Sequence, residues 1–434
     1  MSDLIQDNLG KAIRLCDEHK FGEAEPVLQG ILSDNPNSSD AWRLLAVVDW
    51  YGNNNLDKAE NDLIESLRLD QTDTPALLQM GNLLALKKGD LKAAKAYYEK
   101  ILEYHPNDAI AMNNIGGVYM KNRRYDEAID WFQRAMNADS TFPNSYYAMA
   151  LCFKAQARNV TAFDVCVNGM VKGKDRPENP NVMGELEKLM LQQSAILYAM
   201  SPDFSKVIET FRKEMEDYDG HPVRLVIDNN IQDDFILEYR PWFHRNETII
   251  KAHNEKLFSP YSIIHAFMRL ERAIAATKAG RGKVIIINDN NDMDRLLVSN
   301  IIRLPLDLLA QDLLYELYPG QRYVQVMALN TKAKECISKA NGKGNTYGLS
   351  KSHMETYRIL SLVSAMHLRQ LYGIDDIDKY HPGNRELNEV QELYRAYKAC
   401  KEHFTAGDEY QLVEEFAKQL GVADCIAFKD DFSV

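Results

Sequence analysis

The sequence predicts a mainly α protein, with an N-terminal α-solenoid of helical hairpins followed by a helix-rich α+β domain. Three observations predict it. Small and aromatic residues recur together with a period in the 20 to 50 residue range that marks stacked repeats. That spacing is lost from about His221 onward, and beyond it short β-branched runs stand between long amphipathic helices. The chain has 434 residues, more than a single core usually organises, since cores stop growing at roughly 250 to 300 residues. Hydrophobic residues make up 45% and charged residues 26%, a globular balance that leaves enough apolar surface for more than one core.

The repeat is clearest where Ile115, Gly116 and Tyr119 precede Tyr125, Ala128, Phe132 and Ala135. Two helices of a hairpin approach closely at small residues, so Gly116 and Ala128 are expected to face each other, with Tyr119 and Phe132 filling the space beside them. The preceding unit repeats the arrangement with Gly81, Leu84, Ala94, Tyr98 and Pro106, with one extra residue that is expected in the turn. Proline has no N–H to continue a helix, so Pro106 marks an end. Further upstream, Ala46, Leu56, Ala59 and Leu63 make one unit, and Ala12, Phe21, Ala24, Leu28 and Pro36 make another. A fifth keeps Ala150, Phe153 and Ala162 but carries Cys166 and Gly169 where larger or better helix-forming residues are usual.

These joint recurrences resemble the tetratricopeptide repeat, over about 40% of the chain. Residues 1–180 are expected to form about five such hairpins. Residues 181–219, after a Pro- and charge-rich break at 172–180, are expected to form a helical pair that turns at Ser201-Pro202-Asp203 and caps the stack. The resemblance implies a concave groove lined from the first helix of each hairpin, and the matching positions are Arg43, Val47, Trp50, Leu78, Asn82, Asn113, Asn114, Gly117, Tyr147 and Lys154. Asparagines there suit the backbone of an extended peptide, and Trp50 and Tyr147 suit its side chains. Val47, Leu78 and Ala148 stand where a clamp for a C-terminal carboxylate requires polar or basic groups, so that subtype is not expected.

Residues 220–434 are expected to be a separate helix-rich domain. Strands are predicted at 224–227, 284–287 and 323–326, and a further extended run at 247–250. Helices are predicted over 260–277, 294–317, 350–372, 385–404 and 408–420, with Gly373, Gly407 and Gly421 at their ends. On the first of these helices His265 and Arg269 lie one turn apart. The placement resembles the metal-binding helix of a zincin-like peptidase, whose HExxH motif needs two imidazoles for zinc and a glutamate as general base. Ala266 replaces that base and Arg269 the second ligand. A guanidinium is permanently cationic and cannot hold zinc, so the helix reads as vestigial.

No other segment completes a catalytic or cofactor motif. Gly342-Lys343-Gly344 and the run from Gly348 to Ser352 fall short of a phosphate loop, and Ser350 reads as a helix cap. The acids Asp289, Asp292 and Asp294 lack the central Gly and terminal Glu of an EF-hand. Six cysteines are scattered without CxxC spacing and read as reduced packing residues. A net charge of -12 repels phosphate backbones and anionic lipid, so neither nucleic acid nor membrane is an expected partner. Charged residues interrupt the N-terminal stretch, and no later apolar run is long enough to span a bilayer. A cytoplasmic location is therefore expected, with no cofactor or metal. The function expected is a scaffold that binds another protein or peptide through the groove, its second half a pseudoenzyme-like domain that binds or regulates. The alternative is a hydrolase that recruits substrate through its repeats.

Overall fold

The computed structural model describes residues 2–176, 180–200, 204–231, 233–253, 259–281, 283–287, 292–341, 350–402 and 408–429. The chain divides into two compact units, 1–165 and 166–434. The turn expected at 201–203, the glycine-rich stretch at 342–349, Asp289 and Gly407 lie outside the described residues, as do the side chains of Asp292 and Asp294.

The first unit is built of hairpins: α1 (Ser2–Asp17) with α2 (Phe21–Asp34), α3 (Ser39–Val47) with α4 (Leu56–Leu69), α5 (Thr74–Leu83) with α6 (Leu91–Tyr104), α7 (Ala109–Lys121) with α8 (Tyr125–Ala138), and α9 (Pro143–Ala155) leading to α10 (Asn159–Gly173). The sequence starts these helices in a recurrent way. The side chains of Ser38, Asn55, Asp73, Asp90 and Asp108 each accept a hydrogen bond from the backbone N–H three residues on, which satisfies an otherwise orphaned donor. The extra residue expected in the turn of the third hairpin is instead absorbed within its first helix, as a π-helical turn over Leu84–Lys88. A similar turn over Val48–Gly52 extends α3.

Within the hairpins the close approach differs in one respect from the sequence expectation. A Cβ placed on Gly116 would meet the ring of Phe132 at 2.6 Å, so the residue opposite the glycine is the aromatic one turn beyond Ala128. The same holds for Gly81, against which the ring of Tyr98 is seated. Tyr119 does not fill that space. It lies half-buried, with the Arg124 guanidinium 4.8 Å from its ring centre.

Between α3 and α4 the core holds an acidic pair. Asp49 is 1% exposed and Asp62 6%, and the two carboxyl groups hydrogen-bond each other. Asn53 donates to Asp49 at 2.9 Å, and the Lys58 ammonium lies 2.9 Å from it. Burial works against the Asp49 carboxylate, but these hydrogen bonds outweigh it and lower its pKa. Asp62, desolvated and bonded to Asp49, is pushed up to about 7. One proton shared between two buried carboxyls avoids placing two like charges side by side.

The division between the units falls within α10, and the second unit continues with α11 (Pro180–Met200) and α12 (Phe204–Asp219), the pair expected at 181–219. A small sheet follows, with β1 (Val223–Ile227), β2 (Phe235–Glu238) and β3 (Thr248–Ala252) in the order β1-β3-β2. β3 runs parallel to β1 and antiparallel to β2, so that Ile250 pairs with both Leu225 and Leu237. Then come α13 (Ser259–Lys278), β4 (Lys283–Ile286), α14 (Asp292–Leu317), α15 (Arg322–Ala340), α16 (Lys351–Tyr372), α17 (Asn384–Glu402), α18 (Glu409–Gln419) and β5 (Ile426–Lys429), which pairs antiparallel with β4. One core joins Phe211, Val223, Phe235, Ile250, Phe267 and Leu270, between the sheet and α12 and α13. Another joins Ile301, Leu308, Leu362, Leu393, Tyr397 and Phe416.

Five helices fall where the sequence predicts them. Ser350 caps α16, accepting from the N–H of His353, and Gly373 and Gly421 take the left-handed conformation at helix ends. The strand predicted at 323–326 is corrected: those residues belong to α15. Val324, Gln325 and Val326 are all buried there, and packing overrides the β-branched preference. Among the described residues no helix is long and apolar enough to cross a membrane, and the six cysteines are free, three buried and three half-buried.

Two outcomes test this description. Gly116→Ala forces a methyl into the Phe132 ring and is expected to cost about 1 to 3 kcal/mol, read as a lower melting temperature. Asp62 has a folded pKa above its ordinary 3.8. Its contribution to stability is therefore full below that value, declines as pH rises toward about 7, and is absent above. Asp62→Asn supplies a permanent donor to Asp49. Its stability relative to wild type is expected to grow between pH 4 and 7, and a pH-independent difference in denaturant melts would count against the shared proton.

Candidate functional site

Three first helices of the array, α5, α7 and α9, converge on a cavity of about 270 Å3. Five of the residues singled out from sequence line it together: Asn82, Asn113, Asn114, Gly117 and Tyr147. Each is half-buried, as a side chain must be if it is both held in place and accessible. The asparagines form a ladder. Tyr98 Oη donates to Asn82 Oδ1 at 2.8 Å, and Asn114 Nδ2 donates to the same oxygen at 3.1 Å. Asn113 Nδ2 donates to Asn114 Oδ1 at 3.5 Å, and Ser145 Oγ to Asn113 Oδ1 at 3.2 Å.

The carboxamide oxygens are thus engaged by the protein, while the NH2 groups, each carrying two protons, retain donor capacity. Gly117 leaves open space where a side chain would project. Asn144 also lines the cavity, with a buried Oδ1 that has no hydrogen-bond partner. Sequence reasoning passed over it, although it stands in the same first helix as Tyr147. Lys121 lines the rim and donates to the backbone carbonyl of Ala85 at 3.1 Å. Tyr98, deeply buried, has its phenol pKa pushed well up by desolvation and stays a neutral donor.

The other groove candidates lie elsewhere. Arg43 is half-buried on α3, 2.8 Å from Asp40 and 3.2 Å from Asp73. Val47 and Leu78 are half-buried, Leu78 against the hairpin core. Lys154 is exposed and does not line the cavity. Trp50 is a correction to the groove set: it is 5% exposed, lies in the π-helical turn after α3 and packs into the core with Leu63 and Leu77.

In the second unit, His265 and Arg269 project from α13 toward Asp307 of α14. Arg269 Nη1 bonds directly to Asp307 Oδ1, and His265 Nε2 lies 3.7 Å from the same oxygen. Burial disfavours the Asp307 carboxylate, but the Arg269 guanidinium and nearby Arg303 hold it ionised, its pKa down at about 2. Desolvation lowers His265 to about 4, against the opposing pull of Asp307, so its imidazole is neutral at physiological pH. The guanidinium therefore supplies the positive charge beside the carboxylate. No group of three or more His, Cys, Asp or Glu suited to a metal occurs among the described residues.

Comparison with known proteins bears on the array. A curated relative, described as a BBSome complex member BBS4 homolog from Drosophila melanogaster, is 23% identical over 168 residues, 38% of this chain and 34% of the relative. The chain thus spans about a third of that relative's length. Among solved structures, one of Pseudomonas aeruginosa PilF is 16% identical and covers 49% of this chain and 98% of its own, at a TM-score of 0.37. YrrB, described as a TPR protein with an unusual peptide-binding site, is 16% identical and covers 42% and 90%, at 0.33. The tetratricopeptide repeat family model matches residues 83–141, from the end of α5 through α8, and this stretch carries tetratricopeptide repeats.

Proposed function

We propose that the protein is an interaction adaptor whose first unit receives an extended polypeptide segment across α5, α7 and α9. The second unit, in this reading, binds or regulates without catalysing a reaction. The observation that carries the proposal is the convergence of Asn82, Asn113, Asn114 and Asn144 with Tyr147 on one cavity. A peptide laid across the helices presents backbone carbonyls, which accept from the NH2 groups of Asn82, Asn113 and Asn114, whose oxygens are already held, and backbone N–H groups, which can donate to the open Asn144 Oδ1. The cavity is small, so it suits a single side chain anchored beside Tyr147 rather than a folded ligand. The repeats at 83–141 support the adaptor reading, since proteins with such arrays commonly bind other proteins or peptides.

The variant best suited to the test spares Asn82, because removing that carboxamide would also strand the Tyr98 hydroxyl. Asn113→Ala with Tyr147→Ala is expected to weaken capture of the partner recovered by wild-type protein about tenfold or more, with helical circular dichroism unchanged. Capture at wild-type affinity would move the binding surface away from this cavity.

For the second unit we extend the proposal to a degenerate zincin-like arrangement. Strand β3 precedes α13, and the Arg269–Asp307 ion pair joins that helix to α14, which supports the reading. The hydrolase alternative needs a general base and a second imidazole at Ala266 and Arg269, which the chain lacks. Ala266→Glu with Arg269→His removes the ion pair and sets two imidazoles one turn apart near Asp307. Zinc uptake approaching one ion per chain, measured by mass spectrometry after dialysis, is the expected outcome. A variant that stays folded and takes up no zinc leaves the zincin-like reading without support.

A further inference from the structure

A pair of adjoining cavities in the second unit has no role in the adaptor reading. They measure about 440 and 340 Å3 and share Asp234, Gln311, Leu329, Lys332 and Glu335 in their walls, a combined size in the range of small-molecule sites. At the inner wall of the smaller one stand Tyr261 and His265, both from α13 and each only 8% exposed. Neither Tyr261 Oη nor His265 Nε2 has a hydrogen-bond partner. A buried polar atom left unsatisfied costs about 1 to 3 kcal/mol, so two on one cavity wall point to a group that completes them. Burial raises the Tyr261 pKa, which keeps the phenol protonated and a donor.

Electrostatics narrow the class of ligand. Asp307 is committed to Arg269. Of the three further cations in the cavity walls, Arg303 of α14 and Lys332 of α15 lie 2.8 Å from Asp233 and 3.4 Å from Asp234, and Lys339 of α15 lines the larger cavity. Those two carboxylates belong to the stretch just ahead of β2, and their side chains are 53% and 48% exposed. Solvent-exposed ion pairs contribute roughly 0 to 1 kcal/mol, so a ligand anion that meets the half-buried Arg303 and the Lys332 ammonium at once competes with them well. Leu304, Leu329, Leu360 and Leu368 supply apolar wall, which suits a carbon skeleton better than an inorganic ion.

We propose that this double cavity binds a small organic carboxylate. Its carboxylate group takes the place of Asp233 and Asp234 at Arg303 and Lys332, and a second oxygen accepts a hydrogen bond from Tyr261 Oη beside His265. The acidic stretch ahead of β2 is then a built-in competitor for the site.

The test is calorimetric titration of the full chain with succinate at low ionic strength, with inorganic phosphate and glycerol titrated in parallel. Succinate is expected to bind and glycerol not to. Asp233→Asn with Asp234→Asn should tighten succinate binding about tenfold, and Lys332→Gln should weaken it about tenfold. Tyr261→Phe should weaken it several-fold. Lys332 has an exposed side chain, so its substitution keeps the test valid even if Tyr261→Phe does not fold. Absence of succinate binding in both wild type and the double asparagine variant overturns the proposal, as does equal affinity in Lys332→Gln. Tighter binding of phosphate than of succinate overturns the carboxylate assignment.

Discussion

The seating of an aromatic ring on a glycine of the facing helix is the contact on which the array depends. It sets how closely α5 and α7 approach their partners, and only a residue without a side chain leaves room for the Tyr98 or Phe132 ring. The same contact reaches the cavity between α5, α7 and α9. Tyr98 is held flat against Gly81, so its hydroxyl arrives beside the next residue, Asn82, and fixes that carboxamide. Asn114 then bonds Asn82 from the following hairpin, and Ser145 bonds Asn113 from the one after. Core packing and the asparagine-lined cavity are one construction, since each hairpin orients a polar side chain of its neighbour.

That coupling explains why much of this cavity's lining was legible in the sequence. Asn82, Asn113, Asn114 and Gly117 stand within one turn of the packing glycines Gly81 and Gly116, Tyr147 stands at the matching offset from Ala150, and an undistorted helix carries those offsets into space. Trp50 shows where the rule breaks. Each residue turns an α-helix by about 100°, so the widened turn over Val48–Gly52 moves Trp50 from the groove side into the core. In the second half, the long helices were legible from their periodicity, whereas β2 and β5 are four-residue strands too short to show one, and β5 is held by the far-off β4. The strand expected at 323–326 failed because a short apolar run suits either structure until its neighbours are known. Asp307 was invisible as a partner of His265 and Arg269, since it lies 38 residues beyond Arg269 and meets them only through the packing of α13 on α14.

The second unit buries polar groups in more than one place, and they are not equivalent. Around Asp312, Tyr397 donates a hydrogen bond, Lys401 lies 2.9 Å away, and His367 approaches to 3.8 Å while its other ring nitrogen meets Tyr394. Desolvation holds His367 near a pKa of about 4, so it is a neutral member of a packed network. That cluster compensates its own charge and joins α14 to α16 and α17. His265 Nε2 and His367 Nε2 are alike in lying just beyond hydrogen-bond distance of a carboxylate, but the Tyr261 hydroxyl, unlike those of Tyr394 and Tyr397, has no hydrogen-bond partner and faces open volume. Burial alone therefore does not separate structural polarity from a binding site; an unmet hydroxyl donor beside a cavity does.

The proton shared by Asp49 and Asp62 makes formation of the first unit a chemical exchange with the solvent. Near pH 6 the unfolded chain carries both carboxylates ionised, whereas the folded hairpin of α3 and α4 retains one proton between them. Folding there withdraws close to one hydrogen ion from the buffer, and unfolding returns it. The measured heat of unfolding then includes the ionisation heat of whatever buffer accepts that ion, so its apparent enthalpy differs between a phosphate and an amine buffer at the same pH.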